Sequence, residues 1–218
     1  YPKNMRFFSS SDLLEIAGVP FISKEVKPNR DEALEYYRRI VTSHQLAVNL
    51  FERVVAIEKN EGVFEVITDK DTYRALQVVI ATGFYDIPNY MGVPGESLPK
   101  VTQYYNDPHY YSCQKVVVVG ASNSAVDAAL ECWRKGAEVT LVVRGEAIGN
   151  RVKYWVMPDI ENRIAEGSIK AFFNSEIAEI TENFVRIQTP DGQVVLENDY
   201  ELALTGYETD FDFLTSVG

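Results

Sequence analysis

The sequence predicts an α/β protein, and three observations predict it. A run of four valines, residues 116–119, reads as a parallel strand buried on both faces. It stops at Gly120, gives way to an amphipathic helical stretch, and is followed by a second apolar run over 138–143 that stops at Arg144. Residues 52–84 and 175–207 each carry a strand, a hairpin with an Asp-containing turn, and an apolar strand ending in Thr-Gly-aromatic. These two stretches read as an internal repeat of one β-meander unit.

The elements follow in order. A helix is expected over 31–45, capped by Asn29 or Asp31, with Ala33, Leu34, Tyr37, Ile40 and Val41 as its apolar stripe. Strands are expected over 54–57, 63–68 and 73–80, the last two separated by the turn TDKD. The Pro- and Gly-rich stretch FYDIPNYMGVPGESLP reads as an extended crossing between domains. After the strand–helix–strand unit a short helix fits 158–166, with Pro158 in its first turn and Gly167 beyond its end. Strands return at 169–173, 177–181, 184–189, 193–196 and 200–204. In the first helix after Gly120, Ala125, Val126, Ala128, Ala129, Cys132 and Trp133 are expected to face the sheet, and Glu131 to pair with Lys135.

Composition bounds the function. The 218 residues are 46% hydrophobic and 12% aromatic, enough for packed cores. Net charge is −11, which argues against a broad nucleic-acid surface but leaves room for a local basic pocket. No apolar run approaches the roughly 20 residues needed to cross a bilayer, and the opening YPKNMRFFSS lacks a signal-peptide layout. Two cysteines, Cys113 and Cys132, are too few for a disulfide scaffold, so a cytoplasmic location is the expectation. His44 and His109 have neither metal-ligand spacing nor a nucleophile partner, and no metal site is expected.

The chemistry sits where the first parallel strand stops. Amide groups at a helix N-terminus carry partial positive charge and suit a diphosphate. The dinucleotide fingerprint is G-x-G-x-x-G/A, and here the stretch is Gly120, Ala121, Ser122, Asn123, Ser124, Ala125. Serine replaces the second glycine and alanine the third, while the flanking strand, helix and second strand supply the context the fingerprint needs. At the end of the second strand an NAD site places an acid on the ribose 2′-OH. This chain has Arg144, whose guanidinium matches a 2′-phosphate, with Arg151 and Lys153 shortly after. The expected nucleotide is therefore NADPH. The fold class becomes α/β with two dinucleotide-binding, Rossmann-like domains carrying β-meander inserts. The second repeat copy has a βαβ unit ahead of it and the first does not, so that unit is expected upstream of Tyr1 in a longer protein.

VVIATGFYDIPNYMGVPGE resembles the strand-end of flavoproteins in which an NADPH domain is inserted into an FAD domain. GASNSAVDAAL and TLVVRGEAIG resemble their NADPH half. FFSSSDLLEIAGVPF, EALEYYRRI and VKYWVMPDIENRIAEGSIKAFFNS are similar to a narrower group, the thioredoxin-reductase-like bacillithiol disulfide reductases. The resemblance covers essentially the whole chain. It implies a truncated FAD domain with linker over 1–109, an inserted NADPH domain over 110–199, and a return segment over 200–218. It implies that Ala81, Thr82 and Gly83 pass near the flavin's nucleotide portion, that Val54 and Val55 lie beside its adenine, and that Phe7 and Phe8 approach its ring. It implies that Gly120, Ser122, Asn123 and Ser124 hold the NADPH diphosphate, with Arg144 on the 2′-phosphate.

The sequence departs from that pattern where the group's first Gly-rich motif, its neighbouring cysteine and its last FAD-contacting segment would be. The implied cofactors are FAD and NADPH. The implied activity is hydride transfer from NADPH through FAD to a small disulfide, with no nucleic-acid or membrane partner and homo-oligomerisation left open. A flavin monooxygenase and a non-catalytic NADP-binding module are the alternatives. Absence of a C-x-x-C motif disfavours ordinary thioredoxin reduction, and no catalytic residue is assigned.

Overall fold

The computed structural model describes residues 1–216. They form two compact units, Tyr1–Leu34 with Asn89–Gly206, and Glu35–Pro88 with the segment from Tyr207 onwards. The N-terminal segment belongs to the larger unit because it is tied there: Lys3 N donates to Asn106 O (3.1 Å), Lys3 Nζ pairs with Asp107 (3.3 Å), and Asn4 Nδ2 reaches Glu131 (3.4 Å).

Helix α1 is Arg30–Ser43. Asn29 caps it: Glu32 N donates to Asn29 Oδ1 and Asn29 N donates to Glu32 Oε2, each at 3.0 Å, a reciprocal capping box. Its buried stripe is Ala33, Tyr36 and Ile40, whereas Leu34 and Tyr37, expected inside, are exposed.

The smaller unit is built on an antiparallel meander of β1 (Val54–Asn60), β2 (Val63–Thr68) and β3 (Thr72–Ala75). The strand expected over 73–80 stops at Ala75. Residues 76–83 are irregular, and Val79 is 88% exposed. A strand needs a neighbour to take its N–H and C=O groups, and no described strand pairs with this stretch. A two-residue strand, β4 (Ile87–Pro88), ends this part of the chain.

In the larger unit five strands form a wholly parallel sheet. They are β5 (Val101–Thr102), β6 (Lys115–Val119), β7 (Glu138–Val142), β8 (Lys170–Phe172) and, after a second meander, β12 (Tyr200–Ala203). Their order is β5-β12-β6-β7-β8. The meander is β9 (Glu176–Ile180), β10 (Phe184–Thr189) and β11 (Gly192–Glu197). A short strand, β13 (Tyr207–Glu208), follows β12 and pairs with β4 within the smaller unit, ahead of α4 (Phe211–Ser216).

Alternation sorts the two faces of the sheet. Val116, Val118, Val139, Leu141 and Leu202 pack against α2 (Asn123–Arg134) and α3 (Met157–Ala165). Val117, Val119 and Val142 pack against Ile177, Ile180, Val185 and Ile187 of the meander. The four-valine run is therefore buried on both sides, each side chain contributing roughly 1.5–3 kcal/mol of burial. Helix α2 buries Ala125, Val126, Ala128, Ala129, Leu130 and Cys132. Burial raises the Cys132 thiol to about 12, so it is an inert core group. Glu131 does not pair with Lys135 as expected. It accepts from Tyr105 Oη at 2.6 Å, a tertiary contact that outcompetes an exposed i,i+4 pair.

Gly120 makes the turn from β6 into α2 at φ +134°, and a Cβ there would lie 2.6 Å from Leu204 O and 3.0 Å from Ala125 Cβ. Only glycine fits. Gly120→Ala is expected to destabilise the protein by about 2–4 kcal/mol, combining backbone strain with a main-chain clash. Chemical denaturation checks this, and an unchanged midpoint would contradict the geometry.

Glu201, in the centre of β12, is 0% exposed, and neither carboxylate oxygen has a hydrogen-bond partner. Burial raises its pKa from 4.5 to about 8, against the pull of nearby Lys100 and with Glu96 adding to the rise. The folded state therefore holds this proton more tightly than the unfolded state does. The stabilisation is complete below about pH 4.5 and is lost as pH rises through about 8. Glu201→Gln is expected to flatten the stability–pH curve over that window and to add roughly 2–4 kcal/mol at its upper end. Unfolding midpoints measured across the window check the slope.

Candidate functional site

In an open parallel sheet, ligands bind beyond the carboxyl ends of the strands where the connections diverge. Here β6 connects through α2 to β7 on one side, while β12 lies on the other, so the divergence falls between β6 and β12. A cavity of about 660 Å³ opens at that place. Its lining includes Gly120, Ala121 and Ser122 from the turn, Arg144 and Gly145 beyond β7, and Thr205 beyond β12. Asn89–Met91 with Val93 from the crossing segment and Ser175–Ile177 from the meander complete it.

The turn is shaped to receive an anion. Ser122 has an ordinary extended backbone at φ −98°, and its hydroxyl makes no capping hydrogen bond. Replacement of the second glycine by serine therefore costs no backbone strain. The first amide groups of α2 have no intrahelical acceptors and point beyond the helix end. Ala125 is fully buried where the helix meets the strand. At Gly120 the space a Cβ would take is filled by Leu204 O and Ala125 Cβ, so the glycine serves the close turn that brings the amides to the cavity. These residues fit a pyridine nucleotide's diphosphate.

Arg144 is exposed, lines the cavity, and forms no ion pair among the described residues. Lys153 and Arg151 do not line the cavity. Lys153 Nζ instead pairs with Asp127 Oδ2 at 2.6 Å, its side chain only 14% exposed. Asn123 also turns its carboxamide elsewhere: Nδ2 donates to Arg151 O (3.1 Å) and Oδ1 accepts from Lys153 N (2.9 Å). Only its main chain remains for a ligand at the helix end, beside exposed Ser124.

The residues expected near a flavin are differently disposed. Phe7 is half-buried. Phe8 is 60% exposed and its ring meets that of Trp155 at a tilt of 42° with centroids 5.4 Å apart, with Lys27 Nζ over both rings. In the smaller unit Val54 is half-buried, while Val55 is exposed and sits in a β-bulge between Val54 and Ala56. Ala81, Thr82 and Gly83 are exposed on an irregular segment rather than at a strand end. Among the described residues, these segments form no helix N-terminus of the Gly120 kind.

Sequence reasoning passed over Thr205, Asn89 and Glu176. Thr205 Oγ1 donates to Asn89 O, and Asn89 N to Gly206 O (3.0 Å), which binds the crossing segment to the end of β12. The Thr-Gly ending of the second repeat copy was the signal that could have found Thr205. No helix of the described residues is long and apolar enough to cross a membrane.

Known proteins carry the same architecture. The chain is 43% identical over 220 residues to the bacilliredoxin reductase Bdr of Bacillus subtilis (strain 168), covering all of this chain and 68% of that protein. The bacillithiol disulfide reductase Bdr (YpdA) from Bacillus cereus superposes with a TM-score of 0.96 at 43% identity, over all of this chain and 69% of that one. A thioredoxin reductase from T. acidophilum shares the fold alone, with a TM-score of 0.76 at 23% identity over 89% of this chain and 65% of that one. The family model described as pyridine nucleotide-disulphide oxidoreductase matches residues 1–218. The chain belongs to the pyridine nucleotide-disulphide oxidoreductase family of flavin enzymes, whose members use FAD together with NAD(P)H.

Proposed function

We propose that the protein is an NADPH-dependent reductase of a low-molecular-weight disulfide of the bacillithiol class. The observation that carries the nucleotide choice is Arg144. It stands at the carboxyl end of β7 on the same cavity as the Gly120 turn, with no described carboxylate paired to it. An acid at that position would accept from a ribose 2′-OH, whereas a guanidinium donates two parallel hydrogen bonds to a phosphate. The disulfide class is supported by 43% identity, along the whole chain, to proteins named for bacilliredoxin or bacillithiol disulfide reduction.

The roles of the chain's own residues follow from their positions. The amide groups of α2 and the Ser122 hydroxyl bind the diphosphate. Gly120 lets the chain turn from β6 into α2 so that those amides face the cavity. Arg144 orients the adenosine end. The bound nucleotide supplies a hydride, and the protein's contribution is to hold the nucleotide in one pose and keep water from the reacting centre. Neither cysteine is given a catalytic part: Cys132 is buried and Cys113 is exposed on the far side of α2's C-terminus, where its N–H donates to Gly136 O (3.2 Å).

Arg144→Ala is expected to weaken NADPH binding by about 10- to 100-fold while changing NADH binding less than about twofold, the loss of one charge-assisted bidentate contact. Titration of both nucleotides checks this, and equal losses would remove the 2′-phosphate assignment. In the intact holoprotein, NADPH is expected to bleach the flavin absorbance and bacillithiol disulfide to restore it. Substrate-dependent oxygen uptake without disulfide reduction would place the protein among monooxygenases instead.

A further inference from the structure

The segment that leaves β7 at Arg144 has no regular structure until α3 begins at Met157. With no ladder of its own, its path is set by what grips it. Three grips come from the glycine turn and the first turns of α2. Gly149 N donates to Ala121 O at 2.8 Å, and a Cβ at 149 would stand 2.8 Å from that same oxygen. Lys153 pairs with Asp127. Between them, the Asn123 carboxamide spans two main-chain groups, donating to Arg151 O and accepting from Lys153 N.

This use of Asn123 is specific to an amide. One side chain must offer a donor and an acceptor at once, which neither a carboxylate nor a methyl group does. It also withdraws the side chain from the diphosphate to which the residue's place in the fingerprint would assign it. The segment it holds starts with Arg144 and carries Arg151 at the gripped end. Arg144 rides at the β7 end, where Gly145 O accepts from Asn174 N (2.8 Å), and Arg151, outside the cavity lining, rides at the end gripped by the nucleotide-binding turn.

Building on the NADPH reading of this cavity, we propose that Asn123 is a positioning residue for coenzyme selectivity: its carboxamide fixes the 149–153 strap and so holds the cationic edge in register with a 2′-phosphate. Selectivity is the sensitive quantity because a phosphate dianion gains most from a guanidinium held at hydrogen-bond geometry. A ribose 2′-OH has little to lose when that edge becomes mobile. The amide groups that meet the diphosphate are main-chain atoms and survive any side-chain change at 123.

The test uses the intact holoprotein and the oxidised nucleotides, so that no hydride transfer confuses binding. Dissociation constants for NADP⁺ and NAD⁺, and for 2′,5′-ADP and 5′-ADP, are measured by calorimetry in the wild type, Asn123→Ala and Asn123→Asp, alongside thermal unfolding. Both variants are expected to lose about tenfold in the NADP⁺-to-NAD⁺ preference, the equivalent of one or two net hydrogen bonds. Asn123→Asp is informative because a carboxylate at a helix N-terminus favours the helix while still losing the donor to Arg151 O. A purely structural role would move the unfolding midpoint and leave the preference intact.

Unchanged preference, or equal weakening of both nucleotides, overturns the proposal. If Arg144→Ala abolishes the preference and Asn123→Ala does not, the NADPH reading stands and this one falls. If the wild type does not prefer NADP⁺, both fall together. Should Asn123→Ala fail to fold, Asn123→Leu, similar in shape but with neither donor nor acceptor, carries the same comparison.

Discussion

The contact between Gly120 and the Leu204 carbonyl governs the larger unit. β6 and β12 are neighbours in a parallel sheet, and the chain must leave β6 by turning sharply into α2 beside the end of β12. With a Cβ there only 2.6 Å from the carbonyl, the turn could not close. Once it closes, the first amides of α2 face the gap where the connections diverge, and Arg144 is delivered to the same gap by the neighbouring strand. The degenerate fingerprint is tolerable for the same reason. Gly120 and Ala125 share one contact, so glycine at 120 leaves room for a methyl at 125. Ser122 keeps an ordinary backbone, so its side chain costs nothing there.

Charge is arranged with equal economy around this turn. Of the cations on the segment after β7, Lys153 is neutralised by Asp127, as Arg134 is by Asp159 at the far end of α2. Arg144 stands apart from these pairs. On the opposite face of the sheet the arrangement is less comfortable. Glu201 is enclosed with no hydrogen-bond partner while Lys100, which donates to Asn198 O at 2.8 Å, is itself depressed by burial. An unpaired carboxyl in a sheet centre is held there by the packing of its neighbours, Val101 and Val117, on either side.

What could be read from the residues alone was local. The unit from β6 through α2 to β7 was legible because a valine run, a glycine, an apolar helix face and a second apolar run follow one another within thirty or so residues. The second meander was legible for the same reason. The stretch over 76–80 looked equally convincing and is not a strand. Val78, Val79 and Ile80 have the composition of a buried parallel strand but no described partner, and pairing is not a local property. Likewise α1's expected stripe of Ala33, Leu34, Tyr37, Ile40 and Val41 holds at Ala33 and Ile40, but the packing chose Tyr36 over Leu34 and Tyr37.

The site shows the same division. Gly120, Ser122 and Arg144 could be picked out because each sits at a fixed place relative to a strand end. Asn123 could be placed in the fingerprint, but its carboxamide's destination could not, since its partners Arg151 and Lys153 lie on a different segment. Sequence by itself determined the order of the elements around the glycine turn and the sheet's buried character, because these depend on neighbours along the chain. Only the tertiary structure decided which cations stay available, which carboxylate is left unpaired and which apolar run finds a partner. Those outcomes depend on groups brought together from distant positions, where competition for a hydrogen bond or a strand edge is settled by geometry.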